Sequence, residues 1–250
     1  LVSDLLLAVL LAIVALLYSA VGQAGGTGYI AAMGLVGLAP EIIKPTALAL
    51  NILVAAIACL HFARAGLLTW RSCYPFGILG APFSLAGGAV HLPPAIYQPV
   101  VGGMLLIAAY QMIRVIRGTS DRDRVAATEP PFLPSLATGG AIGFVSGVTG
   151  VGGGIFLAPL VLTMGWATTR QSAGISATFN LMNSAAALAG AWSTMPALPV
   201  AMPLWLLIVG IAGFGGSWLG ARHLPARALR GILAFLLLAA GARMIAAPFL

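Results

Sequence analysis

Two glycine clusters interrupt apolar runs in this chain, and the chemistry they offer is that of bare backbone amides. Ser146 to Pro159 holds Gly147, Gly150 and the triplet Gly152, Gly153 and Gly154, while a looser copy from Ser19 to Tyr29 holds Gly22, Gly25, Gly26, Thr27 and Gly28. Inside a bilayer an unpaired amide is costly, so glycine-broken backbone is tolerated only where protein or a water-filled cavity satisfies it. A helix that restarts inside the membrane presents free N–H groups and the positive end of its dipole. Glycine lets a ligand approach those groups closely. The ligand that matches is a small anion held near the membrane midplane. The plainer alternative is that the glycines only let helices pack closely, as small residues do in membranes.

A second set of groups sits near these breaks in the sequence pattern. Asn51 and Asn180 lie at equivalent positions deep in apolar segments, and Asn183 follows Asn180 on the same helical face. An amide offers donors and an acceptor, which suits an oxyanion whose protonation varies. Thr46, Ser176, Thr178 and Ser184 offer hydroxyls, and for all of these interhelical hydrogen bonding is the plainer role. Lys44 and Arg170 fall in the turns after the two clusters and read as loop charges able to draw anions in. His91 and His223 precede Pro93 and Pro225 and are expected to shape turns; His61 is a lone histidine at a membrane end.

Other chemistries find little support. No carboxylate lies deep in an apolar run, which argues against a carboxylate-based sodium or proton site and against paired-aspartate proteolysis. No serine is convincingly spaced from a base, so an enzyme is not expected. The run Gly150 to Gly154 lacks a following P-loop lysine and a preceding strand, which sets nucleotide binding aside. Cys59 and Cys73 have neither metal spacing nor an evident partner. No metal and no cofactor is expected.

The elements that must position these groups are membrane helices. The chain has 250 residues, 60% hydrophobic and 7% charged, a polytopic membrane composition. A span needs about 20 apolar residues, so there is room for about eight full crossings with short loops. The net charge of +7 comes from arginines in short loops, which the positive-inside rule explains without nucleic acid. The first apolar run has Asp4 where a signal peptide would be basic, so it reads as a retained span. The chain starts at Leu1 rather than Met, and a few residues are expected to precede it. Pro40 to Pro45 reads as a turn, since two prolines and two charges interrupt the run.

The second half repeats the first. Gly88-Ala89-Val90-His91-Leu92-Pro93 matches Gly220-Ala221-Arg222-His223-Leu224-Pro225, and the glycine clusters and Asn51/Asn180 recur at a nearly constant offset. The expected organisation is a first transmembrane repeat over 1–113, a cytoplasmic linker over 114–133 and a second repeat over 134–250. With the linker inside and the short piece after the second cluster crossing, Arg170 and the Arg222, Arg227 and Arg230 loop fall inside. The fold expected is therefore an all-α integral membrane protein. It has two inverted repeats, about eight full transmembrane helices and two short Gly-broken segments; parallel four-span repeats are the alternative.

At these motifs the chain resembles the sulfite exporter TauE/SafE family of the toluene sulfonate uptake permease superfamily. The carrying features are Ser146 to Pro159, Gly25-Gly26-Thr27-Gly28, Lys44 to Asn51 followed by Phe62-Ala63-Arg64-Ala65-Gly66, and Ser176-Ala177-Thr178-Phe179-Asn180. The similarity runs over nearly the whole chain, although Thr27 replaces the central residue of a full glycine triplet in the first half. The resemblance implies a multi-pass carrier in a bacterial inner membrane for sulfite, sulfonates or related organosulfur anions, with a coupling ion, proton or sodium, left open. The binding residues expected are Gly25, Gly26, Thr27, Gly28 and Asn51 with Gly152, Gly153, Gly154, Thr178, Asn180 and Asn183. An anion channel, a carrier of small carboxylates and a non-transporting membrane protein remain the alternatives. Partners expected are the small anion and the lipid bilayer, with no nucleic acid.

Overall fold

The computed structural model describes residues 2–20, 23–117, 128–192, 198–220 and 226–247. Ten helices make up these residues: α1 (Val2–Ala20), α2 (Gly26–Val36), α3 (Pro40–Arg64), α4 (Trp70–Ala89), α5 (Pro94–Arg117), α6 (Phe132–Thr149), α7 (Gly154–Thr163), α8 (Thr169–Ala191), α9 (Met202–Gly220) and α10 (Ala226–Ala246). Two of them, α2 with 11 residues and α7 with 10, are too short to cross a bilayer as straight helices. The other eight have between 18 and 25 residues. Among the described residues, α3, α5, α6 and α10 are both long and apolar enough to span; Leu5–Ala20 and Met202–Ser217 are shorter apolar stretches.

Local chemistry sets the ends. Gly37 takes a left-handed conformation at φ 84° and returns its N–H to Met33 and Gly34, closing α2. Thr168 starts α8 with a capping box: its hydroxyl accepts from the Gln171 backbone N–H at 3.3 Å, and Gln171 Oε1 accepts from the Thr168 N–H at 3.1 Å.

The turn expected at Pro40 to Pro45 is absent. Pro40 instead begins α3 after an extended Ala39, and Pro45 lies inside the helix. Proline at the first helical position loses no hydrogen bond, and Pro45 forfeits only the bond to the Glu41 carbonyl, near the exposed end of the helix. Lys44 is consequently a buried helical residue and not a loop charge.

Packing follows small residues. On α6, Gly139, Gly143 and Gly147 recur every fourth position, and each faces a carbonyl of α4: Phe76, Gly80 and Ser84. A Cβ at any of the three would sit 2.2–2.3 Å from that oxygen, so the two backbones touch directly. The same glycines stand four apart in the sequence, the spacing of one helix face, as close packing of membrane helices requires. Elsewhere α5 packs on α10, α1 on α9, α3 on α8 and α4 on α8.

Helix directions can be read from two ends of the molecule. A cavity of about 620 Å³ is lined by the C-terminal parts of α1, α3, α5 and α9, by α7 along its length from Ile155 to Leu162, and by the N-terminal parts of α8 and α10. At the other end, Lys44 near the start of α3 reaches the end of α4, and Tyr97 near the start of α5 reaches the end of α6. The Arg243 guanidinium near the end of α10 donates to the Leu35 carbonyl near the end of α2. Helix α5 ends at Arg117 and α6 begins at Phe132; the linker charges Asp121, Arg122, Asp123 and Arg124 lie outside the described residues, as do Arg222 and His223.

Candidate substrate site

Both short helices begin at a left-handed glycine, Gly25 at φ 92° for α2 and Gly153 at φ 79° for α7. Gly150 and Gly152 are left-handed as well, so the chain between α6 and α7 takes a path that side chains disfavour. The two breaks meet. A Cβ on Gly26 would lie 2.5 Å from the Val151 carbonyl oxygen, placing the start of α2 against the loop before α7.

Two asparagines close on this junction from opposite halves of the chain. Asn180 on α8 accepts the Gly154 N–H through Oδ1 at 2.7 Å, satisfying the first free amide of α7. Asn51 on α3 donates through Nδ2 to the Ser184 hydroxyl of α8 at 2.7 Å. Gly152 lies between them: a Cβ there would be 2.4 Å from Asn51 Nδ2 and 2.9 Å from Asn180 Oδ1. Asn51 is fully buried, and its Oδ1 has no hydrogen-bond partner in the structure. A buried polar atom left so costs about 1–3 kcal/mol, which a ligand donor could recover.

The remaining expected residues have other neighbours. Thr27 shares a hydrogen bond of 2.7 Å with the Tyr18 hydroxyl, inside the packing of α1 on α2. Gly28 lies against Tyr18 and Val14. Thr178 returns its hydroxyl to the Gly174 carbonyl at 3.1 Å and lies 3.8 Å from the Cys59 thiol. Asn183 is fully buried on the α4 side of α8, its Oδ1 3.2 Å from the place of a Gly80 Cβ, and its own carbonyl accepts from Ser84 at 2.9 Å. Its shared helical face with Asn180 therefore does not put both amides at one junction. Cys59 and Cys73 are free thiols, and His91 Nδ1 lies 2.8 Å from the Ala89 carbonyl in the turn before Pro93.

Lys44 and Arg170, read from sequence as similar charges, have opposite surroundings. The Lys44 ammonium donates to the carbonyls of Gly88 at 2.9 Å, Val90 at 3.0 Å and Gly87 at 3.4 Å, capping α4. Arg170 is exposed and lines the cavity at the opposite end. The cavity approaches the junction at Ile155, next to Gly154, but its lining does not include the glycines or Asn51 and Asn180. Four lining residues, Ser19, Gln23, Gln111 and Ser176, each carry a buried oxygen without a hydrogen-bond partner. Arg230, Ser172, Ser217 and His61 are further polar groups of its lining, His61 with its ring 5.8 Å from that of Phe214. Gln23 and Gln111 are not among the candidates the sequence singles out, and both line this cavity.

Known proteins match this architecture over nearly its full length. The profile described as Sulfite exporter TauE/SafE matches residues 6–244. A relative from Sinorhizobium fredii (strain NBRC 101917 / NGR234), named as the probable membrane transporter protein y4hK, is 48% identical over 239 residues, covering 96% of this chain and 97% of that protein. No solved structure matches the chain. The chain is thus a multi-pass membrane transporter and not an enzyme, and it belongs to the sulfite exporter TauE/SafE family.

Proposed function

We propose that this chain is a secondary transporter of small anions, namely sulfite, sulfonates or related organosulfur anions, working by alternating access in a bacterial inner membrane. The observation that carries the reading is the convergence of Asn51 and Asn180 on Gly152, where two left-handed glycine breaks abut. There Asn180 Oδ1 occupies the Gly154 N–H, the position an oxyanion oxygen would take. An arriving anion replaces that oxygen, and the released amide of Asn180 turns a donor toward it.

Two inverted repeats give the site its dual access. In support, α5 ends at the cavity where α10 begins, α3 ends there where α8 begins, and α2 ends at the far side whereas α7 ends at the cavity. The cavity end carries Arg64, Arg114, Arg117 and Arg170, so the charge bias puts it in the cytoplasm and makes this an inward-facing form. At the far end Lys44 ties α3 to α4. A cavity entering from one end supports a carrier over a continuous pore.

The test is flux in proteoliposomes. Wild-type protein should carry sulfite or a sulfonate saturably, and Asn180→Ala and Gly153→Leu should lose transport while inserting normally. Unchanged flux in both variants would remove the junction as the site, and unsaturated current would replace the carrier with a channel.

A further inference from the structure

We propose that the cavity is a second anion site, a vestibule for organic anions with an apolar body, separate from the buried asparagine junction. It rests on the transporter reading for its purpose and on its own geometry for its chemistry. About 620 Å³ is the space of roughly twenty water molecules, several times what a four-atom oxyanion fills. It falls in the range of roughly 300–1,000 Å³ typical of pockets that enclose organic ligands.

The walls divide into two zones. Arg170 and Arg230 supply positive charge from the starts of α8 and α10, and the described lining contains no carboxylate to neutralise them. Phe62, Phe214, Ile155, Pro159, Leu162 and Met112 supply the apolar surface. Ser19 and Ser176 are buried, with hydroxyl oxygens that have no protein partner. A guanidinium pairs in bidentate fashion with a carboxylate or a sulfonate alike, so the charged head is fixed by class and not by its central atom. The apolar zone then favours a ligand whose carbon chain is buried as the head is neutralised. A bare inorganic anion gains from the arginines alone.

The experiment titrates purified protein in nanodiscs with hexanesulfonate, hexanoate and sulfite by calorimetry. Both hexyl anions should bind roughly tenfold or more tighter than sulfite. Arg170→Gln and Arg230→Gln should each weaken them by roughly tenfold, and Ala158→Trp, which fills the cavity, should abolish binding without changing the unfolding temperature. Asn180→Asp should leave hexyl binding within about twofold, because the junction lies outside the cavity lining. Sulfite binding as tight as that of the hexyl anions in Asn180→Asp, where the junction is blocked, unchanged affinity in both arginine variants, or loss of hexyl binding in Asn180→Asp overturns the vestibule. Sulfite flux without hexyl binding overturns the vestibule and leaves the carrier reading standing. Hexyl binding without flux of any anion supports the vestibule and removes that reading.

Discussion

Asn180 Oδ1 accepts the backbone N–H of Gly154 at 2.7 Å, so a side chain of α8 caps the broken start of α7 inside the molecule. The left-handed Gly153 precedes that amide at the start of α7, and α8, which carries the asparagine, packs on both α7 and α3. The bond satisfies the first amide of α7 within the protein, and on the proposed function it is the bond that an anion displaces.

Asn180→Asp tests that displacement. An aspartate keeps an oxygen on the Gly154 N–H and holds it more tightly, because charge-assisted bonds are roughly twice as strong as neutral ones. It also repels an arriving anion. Folding should be retained and anion flux in proteoliposomes should fall by at least about tenfold. Asn180→Ala, by contrast, leaves a buried amide unpaired and should lower stability by about 1–3 kcal/mol as well as flux. Wild-type flux in Asn180→Asp would show that the bond is purely structural.

Gly152→Ala addresses the space between the two asparagines. The new methyl would lie 2.4 Å from Asn51 Nδ2, on a residue held at φ 89°. The left-handed backbone alone costs about 1–2 kcal/mol for a non-glycine residue. Asn51→Ala removes the closer contact but neither the backbone cost nor the 2.9 Å approach to Asn180 Oδ1, so the double variant should be less destabilised than the sum of the singles. Thermal unfolding of all four proteins measures the coupling, and strict additivity would place Asn51 away from Gly152.

How far the sequence foretold this arrangement depends on the kind of signal. The glycine breaks, the two short helices and the polar positions Asn51 and Asn180 were legible, because hydrophobic runs and the glycines and amides that interrupt them are local patterns. The neighbours of Thr27 and Asn183 were not, since which way a helical side chain faces depends on how other helices pack against it: Tyr18 of α1 for Thr27, and Gly80 of α4 beside Asn183. Lys44 was misread because two prolines suggest a turn, whereas a proline at a helix start costs nothing and a second one near the end costs a single bond. Nothing in the local sequence pairs Gln23, between α1 and α2, with Gln111 on α5, and only the tertiary packing brings both to the cavity.

The glycine stripe of α6 makes a sharper packing prediction. Gly143→Ala would press a methyl to 2.3 Å from the Gly80 carbonyl and force α4 and α6 apart. Backbone displacement of this kind costs about 1–3 kcal/mol. Gly103→Ala on α5 meets nothing within 4 Å and serves as the control. Unfolding in detergent should show a clear loss for the first and none for the second; equal behaviour would mean that the seam relaxes freely.

Lys44→Met should unlock the end opposite the cavity. Its ammonium holds the carbonyls of Gly87, Gly88 and Val90, and its side chain lies against Gly150 at the end of α6. Hydrogen bonds to a charged donor contribute about 1.5–3 kcal/mol each, so losing even one favours the opposite conformation by roughly tenfold. Methionine keeps the apolar stem, which separates loss of the latch from loss of packing. With Cys59 and Cys73 replaced by alanine, a cysteine at Val90 should react faster with an impermeant thiol reagent from the outer side in Lys44→Met than in the parent. Arg170→Gln should leave that rate unchanged, because Arg170 lies at the other end. Equal labelling in the Lys44 variant and its parent would mean that this end is closed by helix packing alone, and the lysine would then be a helix cap and nothing more.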